Sequence, residues 1–79
     1  SIKIKKTDIE KKLNIIDLVI LSKFENSKSE IRRLIKGNAI KLNDEIISQE
    51  NLIISYELFR QNYLKLSVGK KRHLKIELS

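Results

Sequence analysis

The 79-residue chain carries 17 Lys plus Arg against 10 Asp plus Glu and one His, a formal net charge of +7, with no Cys, Pro, Met or Trp. A domain of this size buries only about 60% of the surface its unfolded chain exposes, so nearly every apolar side chain is committed to one core and an enclosed catalytic pocket is not expected. Without Cys there is no disulfide framework and no thiolate metal site, one His cannot build a metal centre alone, and no apolar run approaches the roughly 18 residues that cross a bilayer.

Ile2 and Ile4 alternate with Lys3 and Lys5, the pattern of a short strand with one wet face. Thr7 and Glu10 have capping-box spacing and predict a short helix from about Asp8 to Lys12. Asn14 is placed to cap a second helix, which Ile15, Ile16, Leu18, Val19, Ile20 and Leu21 make apolar on nearly all sides, so it is expected at the centre of the fold. Asp17 in its first turn suits the positive end of the helix dipole, and Lys23 to Asn26 reads as a connection.

Ser27 and Glu30 form a second capping-box pair. Ile31, Leu34 and Ile35 follow at i, i+3, i+4 spacing and define one apolar stripe, with Lys28, Arg32, Arg33 and Lys36 off it. Gly37 is expected to end this helix in the left-handed conformation. Ala39 to Leu42 alternates as a strand, Asn43-Asp44 is a turn signal, and Ile46-Ile47 can return as a partner. Leu52 to Ile54 is a further possible strand and Ser55 to Phe59 a helical turn. Leu64, Leu66 and Val68, then Leu74, Ile76 and Leu78, alternate with polar residues on either side of Gly69-Lys70-Lys71-Arg72, a final hairpin. The expected class is α+β: two packed helices, plus a short N-terminal helix, against a small, mainly antiparallel sheet. The whole of 1–79 reads as one domain.

Charge is distributed in blocks: +2 over residues 1–26, +4 over 27–43, −3 over 44–63 and +4 over 64–79. A disordered basic tail is contiguous and poor in apolar residues, whereas both +4 blocks are interleaved with Ile, Leu and Val. A fold therefore presents them, and a polyanionic partner is expected. Ile, Lys and Asn make up 33 of the 79 residues; their codons are AT-rich, so single lysines carry less weight. The absence of Met, even at position 1, suggests a processed start or a piece of a longer protein. The opening residues lack the apolar stretch of a signal peptide, and a soluble, cytoplasmic chain is expected.

The run Ser27-Lys-Ser-Glu-Ile-Arg-Arg-Leu-Ile-Lys-Gly-Asn-Ala-Ile-Lys-Leu-Asn43 closely resembles the signature of the RNA-binding domain named after the fourth small-subunit ribosomal protein, the S-four domain (alpha-L motif). A buried first helix, Ser-Lys-Ser opening the second, two adjacent basic residues, Gly near its end and a strand closing on Asn all stand in the family's order. The family prefers more Gly before the strand, a place that Asn38 takes here. Val68-Gly-Lys-Lys-Arg-His-Leu74 resembles the C-terminal hairpin of bacterial and organellar tyrosyl-tRNA synthetases, in which an S-four domain follows the catalytic and helical domains. That resemblance implies a tRNA grip, on tyrosine tRNA and its long variable arm, belonging to an enzyme that attaches tyrosine with ATP and magnesium. It implies a parent that is homodimeric through its catalytic domain, a monomeric fragment, and no catalysis or cofactor in this segment. Other S-four proteins, namely pseudouridine synthases, rRNA methyltransferases and ribosome-associated factors, are the alternative.

Structured RNA is held through phosphates, 2′-hydroxyls and shape, because the deep major groove of an A-form helix excludes side chains. Ser27, Lys28 and Ser29 at a helix start suit a phosphate, with plain capping as the bland role of Ser27. Arg32 and Arg33 can donate bidentately to phosphate oxygens, against the alternative of a solvated helix face. Lys36 and Lys41 are weaker candidates; Lys70, Lys71 and Arg72 stand at a hairpin tip that can reach a backbone. His73 is expected on an exposed strand face, Asn43 in a structural role in its turn, and Tyr56, Phe59 and Tyr63 in packing and not in base stacking. A protein-binding or membrane-binding module, based on Ile15 to Leu21 or on the basic helix, is disfavoured. The core needs those apolar residues, and the basic helix has no aromatic anchor for lipid.

Overall fold

Local signals decide the helices. In the computed structural model, which describes residues 2–79, Asn14 Oδ1 accepts from the Asp17 amide at 2.8 Å and starts a helix, α2 (Ile15–Ser22). Ser27 Oγ accepts from the Glu30 amide at 3.3 Å and starts α3 (Lys28–Lys36). The short α1 (Lys6–Glu10) begins earlier than the Thr7–Glu10 spacing suggests. An overlapping pair wins, because the Asp8 carboxylate accepts from the Lys5 amide at 3.1 Å and makes Lys5 the cap. Lys12, expected inside that helix, has φ 63° and turns the chain into α2.

The terminations also differ from expectation. Gly37 has φ −85°, and Asn38, at φ 59°, takes the left-handed position after α3. α2 ends on Lys23 at φ 64°. There the buried Ser22 hydroxyl donates to the Val19 carbonyl and accepts from the Phe24 amide, which shapes the connection to α3.

Five strands form one sheet in the order β1-β5-β4-β2-β3, with β1 (Ile2–Ile4), β2 (Ile40–Leu42), β3 (Glu45–Ile46), β4 (Tyr63–Val68) and β5 (Arg72–Leu78). All neighbours are antiparallel except β1 and β5, which run parallel with Ile2 opposite Ile76. The hairpin β2–β3 turns through Asn43 and Asp44, both at positive φ, the geometry that matches strand twist. Asn43 also donates from Nδ2 to the Leu58 carbonyl at 2.8 Å and accepts from the Lys65 amide at 3.1 Å, so its role in the turn is structural. Between β4 and β5, Gly69 supplies the turn at φ 74°.

Alternation sends Ile40, Leu42, Leu64, Leu66, Val68 and Ile76 to one face of the sheet, all at most 2% exposed, where they meet Ile15, Leu18 and Val19 of α2 and Ile31 and Ile35 of α3 in one core cluster. The segment between β3 and β4 does not add a strand at Leu52–Ile54. It forms a single rung against the α1–α2 connection, with Ile15 N to Leu52 O at 2.9 Å and Ile54 N to Leu13 O at 2.7 Å. The helical turn expected nearby is a 3-10 turn, Tyr56–Leu58. The architecture is α+β and S-four-like, helices on one face of a mainly antiparallel sheet whose other face is open.

Candidate nucleic-acid interface

The two +4 blocks lie far apart in sequence and are joined by the pairing of β2 with β4 and by the Gly69 amide, which donates to the Ala39 carbonyl at 2.7 Å; one arginine ties the hairpin further, to the connection before α3. Strand parity places Arg72 on the helix side of β5, with Leu74 and Ile76. Its Nη1 donates to the Phe24 carbonyl at 3.0 Å, its Nε donates to the Val68 carbonyl at 3.3 Å, and its guanidinium sits 5.7 Å from the centroid of the Phe24 ring. Phe24 lies in the connection just before Ser27. The tip of the final hairpin is thereby tied within three residues of the α3 cap, and Lys70 and Lys71 stand exposed in the turn beside it.

On α3 the apolar stripe is buried and the basic residues face water. Lys28, Ser29, Arg32, Arg33 and Lys36 are all exposed. The Arg33 side chain is 80% exposed and touches Glu30 at 3.5 Å, a loose contact that leaves the guanidinium available. Ser27 spends its hydroxyl oxygen on the cap. The final hairpin therefore reaches the connection before α3 through Arg72 and the residue that follows Asn38 through Gly69, with Lys28, Arg32 and Arg33 exposed on the helix between and Lys70 and Lys71 exposed in the turn. Among them only Arg72 has its guanidinium engaged with backbone carbonyls.

Lys41 projects from β2 on the open face, opposite Ser67 and opposite Ile46. Register brings to that face several residues to which sequence patterning gives no role. Ser67 pairs with His73 and Lys65 with Lys75, so the intervening polar residues of β4 and β5 stand side by side. Lys65 Nζ lies 2.9 Å from Asp44 Oδ1. The Lys65 hydrogen bond, then its charge, holds the Asp44 carboxyl below its ordinary value. His73 is exposed, as its strand position suggests, with Nδ1 2.9 Å from Ser67 Oγ.

The aromatics divide. Phe59 packs on the core. Tyr56 is 45% exposed, its hydroxyl donating to the Lys6 carbonyl at 3.3 Å and lying 3.4 Å from Glu10; lost hydration, then the Glu10 charge, pushes its phenol up. Tyr63 is not a core residue: it is 37% exposed on the open face, with Lys75 Nζ 4.2 Å from its ring centroid. Phe24, the seat of Arg72, had no local signal. Its role exists only once the hairpin folds back. No group of three His, Cys, Asp or Glu side chains among the described residues could hold a metal ion, and no helix among them is long and apolar enough to cross a membrane.

The family model described as "Tyrosine--tRNA ligase SYY-like C-terminal domain" matches residues 2–76. A tyrosine–tRNA ligase of Pelagibacter ubique is 56% identical over 75 residues, 95% of this chain and 18% of that protein. The ligase of Ehrlichia chaffeensis is 42% identical over 76 residues, and that of the Wolbachia of Drosophila simulans 40% over 74 residues, again 18% of each relative's length. The chain spans about a fifth of these relatives.

Proposed function

The chain belongs to the SYY-like C-terminal domain family of tyrosine–tRNA ligases, and from that premise we propose that it is the RNA grip of such an enzyme. It holds the body of tyrosine tRNA, including the variable-arm region, while the rest of the ligase attaches tyrosine. The observation that carries this reading is the exposed basic side of α3 together with the Arg72–Phe24 tie, which holds the final hairpin to the connection before that helix. Family membership favours this reading over a pseudouridine synthase, rRNA methyltransferase or ribosome-associated factor. In this reading ATP and magnesium belong to the adenylation chemistry of the whole ligase, and no step is assigned to this segment.

Lys28, Arg32, Arg33, Lys36, Lys70 and Lys71 donate to phosphates, and Ser27 and Ser29 lie where amides at a helix start can receive one. Arg72 fixes the spacing between the two groups, and Lys41 stands on the sheet in a groove shared with Lys70. Contacts of this kind read shape and backbone position, so discrimination comes from where the tRNA carries a helical arm. Each contact is individually weak at physiological salt. Tethering to a catalytic domain engaged on the same tRNA raises the effective concentration and compensates. In this reading the enzyme works in the cytoplasm as a homodimer through its catalytic domain, and this segment alone is monomeric.

The test compares tyrosine tRNA with the same tRNA trimmed to a short variable arm, titrated with the 79-residue chain. Weaker binding of the trimmed tRNA is expected. Equal affinity would remove the variable arm from the reading, and no salt-dependent binding of either would remove RNA.

A further inference from the structure

The open face of the sheet carries a charge arrangement that the α3 and hairpin surface does not use. Because Ile40, Leu42, Leu64, Leu66, Val68 and Ile76 point into the core, the intervening residues fall into rows across the strands: Lys41, Ser67 and His73 in one, Lys65 and Lys75 in the next. Lys65 and Lys75 are direct cross-strand partners, and like charges so placed destabilise a sheet. Each has one source of relief, Asp44 for Lys65 and the Tyr63 ring for Lys75. Neither quenches the charge: the Lys65 and Asp44 side chains are 44% and 73% exposed, and a cation over a ring remains a cation. In the adjoining row the Ser67 hydroxyl, on a residue only 2% exposed, meets His73 Nδ1. In the tautomer in which that hydroxyl donates, Nε2 carries the ring proton and is left as a donor on an exposed side chain.

We infer that this open face is a second RNA contact surface, on which Lys41, Lys65, Lys75 and His73 receive the phosphates of a strand continuing from the hairpin tip. Charge complementarity selects the occupant, since with Lys3 this face presents four lysines against Glu77 and the rim residue Asp44. Continuity supports it too: a groove with Lys41, Lys70 and His73 in its lining, alongside Ile46 and the Asp44 carboxylate that Lys65 engages, runs from the hairpin tip onto the face. A lipid surface fits less well. The apolar interruptions are Ile46 and a half-exposed Tyr63 already covered by Lys75. This inference rests on the RNA-binding reading and extends its contact area to a face that a helix-only interface leaves free.

The experiment titrates the 79-residue chain with tyrosine tRNA over a salt series. Lys65→Gln with Lys75→Gln is expected to weaken binding and flatten the slope of log K against log salt by about 1.4 to 1.8, at roughly 0.7 to 0.9 for each phosphate no longer neutralised. Lys11→Gln with Lys12→Gln removes the same charge from the α1–α2 connection and is expected to leave the slope unchanged. If the open-face pair matches the unsubstituted chain, or if the control pair loses as much, the inference is overturned. Arg32→Ala with Arg33→Ala still weakening binding would show that the RNA reading itself survives. Loss of salt-dependent tRNA binding by the unsubstituted chain would instead sink that reading. Should the double variant lack a cooperative melt, Lys75→Gln, which keeps the Lys65–Asp44 contact, is expected to flatten the slope by about half as much. Vesicles of phosphatidylserine and phosphatidylcholine are titrated in parallel. Vesicle binding lost in the open-face pair while tRNA binding persists would assign the face to lipid and contradict the inference.

Discussion

Arg72 shows how one side chain decides what two charge blocks can do together. As a point charge at a hairpin tip it would be interchangeable with Lys. As a planar donor bridging the Phe24 and Val68 carbonyls against the Phe24 ring, it is not. Arg72→Lys is therefore expected to lower stability by about 1 kcal/mol, the net worth of a hydrogen bond at a part-exposed site, and to weaken tRNA binding although the charge is kept. Denaturant unfolding reads the first and a tRNA titration the second. Full retention of both in Arg72→Lys would reduce Arg72 to an ordinary phosphate contact. The sequence marked Arg72 as basic and exposed but carried no trace of Phe24 as its seat, because that contact spans 48 positions. Asn43 was legible, since turn propensity is local, whereas its two long-range hydrogen bonds were not.

At the scale of elements, what was legible followed from short-range chemistry. Asn14 and Ser27 cap α2 and α3 where a polar side chain before an apolar run predicts a cap, and the stripe Ile31, Leu34, Ile35 packs inward as its spacing requires. Misreadings arose where two local signals competed: Asp8 caps back to Lys5 although Thr7 and Glu10 also fit a box. A second cause is scarcity of Gly. With only two in the chain, left-handed positions fall to Lys12, Lys23, Asn38, Asn43, Asp44, Gln61 and Asn62. Such a conformation costs a non-Gly residue roughly 1 to 2 kcal/mol, and Lys has no side-chain chemistry that offsets it. Lys23→Gly, at the end of α2, is accordingly expected to raise stability by about 0.5 to 1 kcal/mol after the entropy of Gly is subtracted. A higher denaturation midpoint with unchanged slope is the expected result; a lower midpoint would show that Lys23 contributes through its side chain.

For the molecule as a whole, strand pairing set what patterning alone could not. Ile2 opposite Ile76 closes the sheet between the two ends of the described chain, and no sequence window contains both. Register likewise turned a scattered set of lysines into rows on the open face. The acidic block, residues 44–63, runs from the β2–β3 turn through β3 and the β3–β4 connection to the start of β4; its connection pairs with the α1–α2 connection through Ile53 and with α1 through Tyr56. A small α+β domain built this way has little interior to spare for a pocket.

If α3 and the final hairpin act as one phosphate-contacting surface, the salt dependence of tyrosine tRNA affinity measures it directly. Five to seven phosphate contacts imply a slope of log K against log salt of about −4 to −6. Arg32→Ala with Arg33→Ala and, separately, Lys70→Ala with Lys71→Ala should each flatten that slope by about 1.4 to 1.8 with the melting transition intact, and the four substitutions together by about 3 to 4. A slope unchanged by either pair would contradict the claim.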